Sequence, residues 1–166
     1  MLEVMILYVI YEYELTMYYV QKRIHEVFGE FSKPSIGAIQ PALKKLERLG
    51  FIKSRKTFSN GGKLTGFYSI TNDGKKAFKN LLMEDLSSNP VQIRPNSAIK
   101  IIASQILPKD FQQSLFEAIS RQIELKKIDA EKKLQKSNLN VYQKILVDNL
   151  VVEYKNYLNL LEKIGK

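Results

Sequence analysis

Residues 28–52 read FGEFSKPSIGAIQPALKKLERLGFI, and the order of breakers, cap and periodic apolar positions in this stretch decides the fold. Gly29 and Pro34 interrupt the chain, Ser35 is placed to cap a helix, and Ile36, Ile39, Leu43 and Leu46 then recur on one face until Gly50 stops the pattern. A step of about 100° per residue sets Gly37, Gln40, Pro41, Lys44 and Arg48 opposite Ile39, with Lys45 beside them. Pro41 is the one awkward member. It lacks a backbone donor and favours a kink, so propensity alone starts the helix later.

Working outward, residues 1–13 are apolar and aromatic, with Glu3, Glu12 and, just beyond, Glu14 as the charges, which suits a short helix buried along most of its circumference. Thr16 caps a second helix in which Met17, Val20, Ile24, Val27 and Phe28 face inward and Lys22, His25 and Glu26 outward, leaving His25 as a solvated side chain. After Gly50 the period changes. Residues 51–58 and 64–70 are rich in β-branched and aromatic residues, and Ser59-Asn60-Gly61-Gly62-Lys63 between them makes a β-hairpin, with glycine available for positive φ at the tip. Thr71 then caps a helix through Ala77, Phe78, Leu81 and Leu82, which Ser87-Ser88-Asn89-Pro90 ends. Three helices, a hairpin and a helix give the order of a winged helix-turn-helix, spanning residues 1–88.

Residues 89–166 read as wholly helical. Asn96 is placed to cap a short apolar helix through Ile99, Ile102 and Ile106, and Pro108-Lys109-Asp110 opens a longer one carrying Leu115, Phe116, Ile119, Ile123, Ala130 and Leu134. Ser137-Asn138 separates it from a last helix. There Leu139, Tyr142, Leu146, Leu150, Tyr157, Leu161 and Ile164 form a stripe flanked by Val147, Val151, Tyr154 and Leu158. Two amphipathic helices cannot bury so wide a face alone, so the N-terminal domain and a second subunit are both expected to cover it. The expected fold is mainly α: a winged helix-turn-helix with a β-hairpin wing, followed by a helical dimerisation region.

Composition narrows the chemistry. The 166 residues are 45% hydrophobic and 26% charged, with a net charge of +9, which directs attention to acidic partners such as nucleic acid. The excess is localised: residues 32–79 carry eleven Lys or Arg against two acids, whereas residues 81–166 carry thirteen against ten. With no cysteine and a single histidine, disulfides, thiolate nucleophiles, Cys-based zinc sites and the usual triads are excluded. Glu117, Glu124 and Glu131 stand at seven-residue spacing beside lysines and read as solvated positions, so no enzyme, cofactor or metal is expected. Gly61-Gly62-Lys63 is not a phosphate-binding loop, because the earlier glycine is missing and Leu64 replaces the Ser or Thr. Residues 1–10 are too short to span a bilayer and lack a basic leader, so the expected location is the cytoplasm, with no membrane partner.

In a helix-turn-helix the third helix enters the major groove and needs hydrogen-bonding and cationic groups with little bulk at its leading end. Gln40 is the leading base reader, since its amide matches an adenine edge in two hydrogen bonds. Lys44 and Lys45 suit either guanine edges or phosphates. A wing carrying Lys53, Arg55, Lys56 and Lys63 suits phosphates, although a solvated hairpin accounts for the same residues equally well.

The stretch from Phe28 to Glu47 followed by Leu49-Gly50-Phe51-Ile52, with Tyr18 early in the second helix and Gly66-Phe67-Tyr68-Ser69-Ile70-Thr71-Asn72-Asp73-Gly74, resembles the PadR family of bacterial transcriptional regulators. The last helix, with Tyr154 and residues 158–161, is similar to the C-terminal dimerisation region of its longer members. The resemblance implies a homodimeric repressor on a pseudo-palindromic double-stranded DNA operator, often released by a small, frequently aromatic effector. With the outward face of the third helix and the wing, it puts Tyr18, Lys33, Ser35, Gly37, Ala38, Gln40, Pro41, Lys44, Lys45, Arg55, Lys63, Thr65 and Tyr68 at the DNA. With the apolar stripe of the last helix, it puts Tyr142, Leu146, Leu150, Tyr154, Tyr157, Leu158 and Leu161 at the dimer interface. Met17 stands where a glycine commonly precedes the tyrosine, and Ile36 and Gln40 stand where tyrosines are frequent, so another member's operator does not transfer. With no tryptophan, an aromatic ligand would pack on Tyr or Phe. The competing expectation is a winged-helix module that docks an acidic protein and does not bind DNA specifically.

Overall fold

The apolar run at the start of the chain becomes α1 (Leu2–Val9), whose Val4, Met5, Ile6, Leu7 and Val9 are all buried. The computed structural model describes residues 1–58, 62, 64–135 and 138–165, which divide into two compact units, 1–106 and 107–166.

In the first unit α1 packs on α2 (Met17–Phe28), α3 (Ile36–Arg48), α4 (Asn72–Met83) and α5 (Pro90–Ser104). Phe28 meets Tyr8 edge-on with ring centroids 5.3 Å apart, and Phe78 lies 5.5 Å from Tyr11. The expected caps are in place: the side chains of Thr16, Ser35 and Thr71 accept from the backbone N–H groups of Tyr19, Ala38 and Gly74. Pro41 does not delay α3, which starts directly after Ser35. The acceptor that proline leaves idle is the carbonyl of Gly37, an exposed residue, so the lost donor strands no buried group. At the other end Gly50 takes φ +73°, and N–H groups of Gly50 and Phe51 return to the carbonyls of Glu47 and Leu46, a Schellman closure.

β2 (Ile52–Phe58) and β3 (Leu64–Ile70) form the expected hairpin, in register from Ile52 opposite Ile70 to Phe58 opposite Leu64. Ser59, Asn60, Gly61 and Lys63 lie outside the described residues, and Gly62 has φ +74°. A third strand was not foreseen. β1 (Leu15–Thr16) pairs antiparallel with Phe67 and Tyr68, giving the order β1-β3-β2. Thr71 then ties the sheet to the helices. Its N–H donates to the carbonyl of Phe51, its hydroxyl donates to that of Gly50 at 2.7 Å, and the same oxygen accepts from Gly74.

α5 corrects one expectation. Asn89, not Asn96, is the cap, accepting from Val91, and the helix opens on Pro90 and runs through Pro95. Pro90 suits the first helical position, and Pro95 leaves idle only the carbonyl of the exposed Val91. α5 packs on α1 and belongs with it to the first unit, which extends to Ile106. Lys100 on α5 is buried, and its ammonium donates to the carbonyl of Glu84 at the C-terminus of α4. Burial pushes that ammonium below its ordinary pKa, against the opposing charges of Glu84 and Asp85.

The second unit pairs α6 (Lys109–Leu134) with α7 (Val141–Ile164). On α6 the buried residues include Leu115, Phe116, Ile119, Ile123 and Ala130, the expected face. α7 begins with a capping box, in which Asn140 and Gln143 exchange side-chain to backbone bonds of 2.9 Å. Of the separator Ser137-Asn138, Ser137 lies outside the described residues. Among the described residues no helix is long and apolar enough to cross a membrane.

Candidate nucleic-acid interface

The polarity of α3 follows from its sequence. Ile39, Ala42, Leu43 and Leu46 are buried, and Gly37, Ala38, Gln40, Pro41, Lys44, Lys45 and Arg48 are exposed on the remaining arc. Gly37 and Ala38 stand at the N-terminal end with no bulk. Gln40 follows, and the cations come last, so small, amide-bearing and charged groups succeed one another along one exposed surface.

The cations differ in availability. Lys45 is paired, its ammonium 2.9 Å from Glu3 on α1. Partial burial works to raise the Glu3 carboxyl, but the hydrogen bond and charge of Lys45 hold it below its ordinary value. On the wing, Arg55 donates through Nε to Glu14 at 2.6 Å, and its guanidinium lies 5.0 Å from the ring centre of Phe67. Lys44, Arg48, Lys53 and Lys56 are exposed. Of these, Arg48 lies on the outward face that periodicity predicts and Lys53 and Lys56 lie on the wing, so the exposed basic surface extends beyond the residues expected at the DNA.

Tyr18 is exposed at the second position of α2, edge-on to Tyr19 at 5.6 Å, and lines an open groove with Gln21, Lys22, His25, Glu26 and Lys33. Lys33 is exposed in the turn before α3, and the hydroxyl of Ser35 is occupied as the cap of α3. Thr65 and Tyr68 are half-buried on β3, opposite Thr57 and Ser54. Burial, with the charge of Glu47, raises the Tyr68 phenol above its ordinary pKa. Ser54 donates to Glu47, which ties the base of the wing to α3. Lys63 lies outside the described residues.

His25 departs from its expected place. It is half-buried, and its Nε2 lies 2.8 Å from the carbonyl oxygen of Pro34. Helical period put it outward, but the returning α2–α3 turn covers that side of α2, and periodicity carries no information about a turn.

On α7, Tyr142 and Leu146 are 79% and 69% exposed, Leu150, Tyr157 and Leu158 are half-buried, and Tyr154 and Leu161 are buried. Val151, Tyr154 and Leu161 form the buried face of α7, while Val141, Ile145, Val152, Leu160 and Ile164 are also exposed. α7 therefore carries apolar side chains on two sides. Among the described residues no group of three or more His, Asp or Glu is arranged to hold a metal ion.

Residues 6–80 match the model of the transcriptional regulator PadR-like family. The fold is similar to that of Bacillus subtilis PadR in complex with operator DNA, at 25% identity and a TM-score of 0.50, over 99% of this chain and 96% of that one. It is similar also to smu.1604c from Streptococcus mutans UA159, at 22% identity and a TM-score of 0.46 over 99% and 98% of the two chains. A further similar structure is Bacillus subtilis PadR in complex with p-coumaric acid, at 23% identity and a TM-score of 0.43 over 99% and 93%. No curated protein matches the sequence.

Proposed function

From a chain whose residues 6–80 are a PadR-like transcriptional regulator family domain, we propose a homodimeric, DNA-binding transcriptional repressor that acts in the cytoplasm. The observation that carries the reading is the exposed arc of α3, with Gly37, Ala38, Gln40, Lys44 and Arg48 presented opposite a fully buried face on a winged-helix scaffold. The similarity to a PadR solved with operator DNA supports it. The winged helix of residues 1–88 grips the duplex and the helices of residues 89–166 hold the dimer. Two-fold symmetry of the dimer then makes the operator pseudo-palindromic. Gln40 reads a base edge, with Gly37, Ala38 and Pro41 allowing close approach. Tyr18, Lys33, Ser35, Lys44, Lys45, Arg55, Lys63, Thr65 and Tyr68 hold the backbone. Release by a small aromatic effector completes the reading, as the family resemblance implies. None of these roles calls for a catalytic group.

The test compares the gene's upstream duplex with a scrambled one at about 150 mM salt, because low salt inflates nonspecific binding. Gln40→Ala is expected to narrow the gap between the two duplexes by about 1–3 kcal/mol, and Lys56→Ala to weaken both alike. Uniform loss in both variants, or equal weak binding of both duplexes by the wild type, rejects the division of roles. The second outcome favours the protein-docking alternative.

The acid pairs give a second prediction. If Glu14 withholds Arg55 from phosphates, Glu14→Gln should raise affinity for both duplexes several-fold, with a salt slope steeper by about one. An unchanged slope would mean that Arg55 stays on Phe67.

A further inference from the structure

We propose that Gln21 and His25 are positioning residues for the exposed arc of α3, acting together through the backbone carbonyl of Pro34. The inference rests on the DNA-binding reading above. The two side chains stand four residues apart on α2 and so share a face. Gln21 Nε2 donates to the Pro34 oxygen at 3.3 Å, and His25 Nε2 lies 2.8 Å from the same oxygen. A carbonyl only accepts, so Nε2 of His25 carries the proton, and both lone pairs of one oxygen are taken up by α2.

That oxygen belongs to the peptide unit that joins Pro34 to Ser35, the cap of α3. Pro34 has its φ fixed by the ring, and Ser35, which follows it, caps the helix. Holding the carbonyl therefore fixes the plane from which the first turn of α3 departs. The far side of the same turn is equally tied. Phe31 and Ser32 both donate to the carbonyl of Phe28 at 2.8 Å, and Gly29 lies so close that a Cβ there would stand 2.3 Å from the carbonyl oxygen of His25. The turn between α2 and α3 is thus bolted at both ends, and at the α3 end the bolt is made by two side chains.

The consequence falls on sequence reading more than on grip. A two-bond amide contact to a base edge tolerates little displacement, whereas lysines reach phosphates over a range of positions. Loosening Pro34 should therefore erode discrimination while leaving nonspecific affinity in place.

The test uses the full-length protein as wild type and as Gln21→Met, His25→Phe, the double variant, and His25→Gln, whose amide nitrogen can stand near the position of Nε2. The probes are a duplex enriched by the wild type from a random pool and its scrambled counterpart, at about 150 mM salt. The double variant is expected to lose about tenfold in discrimination. Its affinity for the scrambled duplex should stay within about twofold and His25→Gln should restore discrimination. Amide exchange at Ala38 and Ile39, which bond to the Ser35 carbonyl, reports the clamp without DNA and should quicken in the double variant alone of that pair. Unchanged exchange overturns the inference, as do quickened exchange with intact discrimination and an equal loss on both duplexes. If the wild type enriches no sequence, the DNA-binding reading falls and takes this role with it. The exchange result then separates that failure from a failure of the clamp.

Discussion

Leu146→Asp is expected to give a folded monomer whose operator affinity is lower by about 10²–10⁴-fold, the range lost when two linked contacts become independent. Leu146, Tyr142 and Ile145 cluster on one side of α7, and all three are exposed in the single subunit. Leu160 and Ile164 continue the same side further along the helix. Val151, Tyr154 and Leu161 are buried on the other side. An aspartate at 146 therefore leaves the subunit's own packing untouched while placing a charge in any face formed with a second copy. Sedimentation equilibrium reads the association, circular dichroism checks the helices, and anisotropy reads the operator. A monodisperse dimer of this variant would remove the exposed side of α7 from the interface.

The second large effect is on stability. Gly74→Ala should lower the unfolding free energy by about 3 kcal/mol or more, at the upper end of what overpacking costs. A Cβ at that position would lie 1.9 Å from the carbonyl oxygen of Phe51 and 2.8 Å from the Ile70 side chain. The obstacle is backbone, and it cannot swing away, because that carbonyl accepts from Thr71 while Gly74 itself donates to the Thr71 hydroxyl. Urea unfolding monitored by circular dichroism measures the loss. A midpoint close to that of the wild type would mean that the α3–α4 junction gives more readily than its hydrogen bonds imply.

Local features were legible in the sequence because local physics sets them. Thr16, Ser35 and Thr71 cap their helices, and the change of period after Gly50 marks the hairpin. What escaped notice depends on distant partners. β1 is two residues long and exists because β3 lies beside it. Asn96 reads as the cap of a short helix, yet α5 opens on Pro90 and passes through Pro95, where Val91 is exposed. On α7 apolar residues occupy two sides, so period alone cannot tell which side stays within the subunit. In the candidate site the exposed arc of α3 followed from periodicity. The pairing of Lys45 with Glu3 and of Arg55 with Glu14 did not, since each joins residues some forty positions apart. The same holds for His25, whose partner is set by the turn.

Lys100, 2% exposed beneath the C-terminus of α4, gives α5 a polarity that shape alone would not. A leucine there could pack in neighbouring registers at similar free energy. A buried ammonium needs an acceptor, and here it meets the carbonyl at the negative end of a helix, with Glu84 and Asp85 adding opposing charge. Moving α5 by one turn, about 5.4 Å, would take the ammonium out of reach of that carbonyl. The lysine thus works as a tether with a direction, joining the middle of α5 to the end of α4 through a single charge-assisted hydrogen bond.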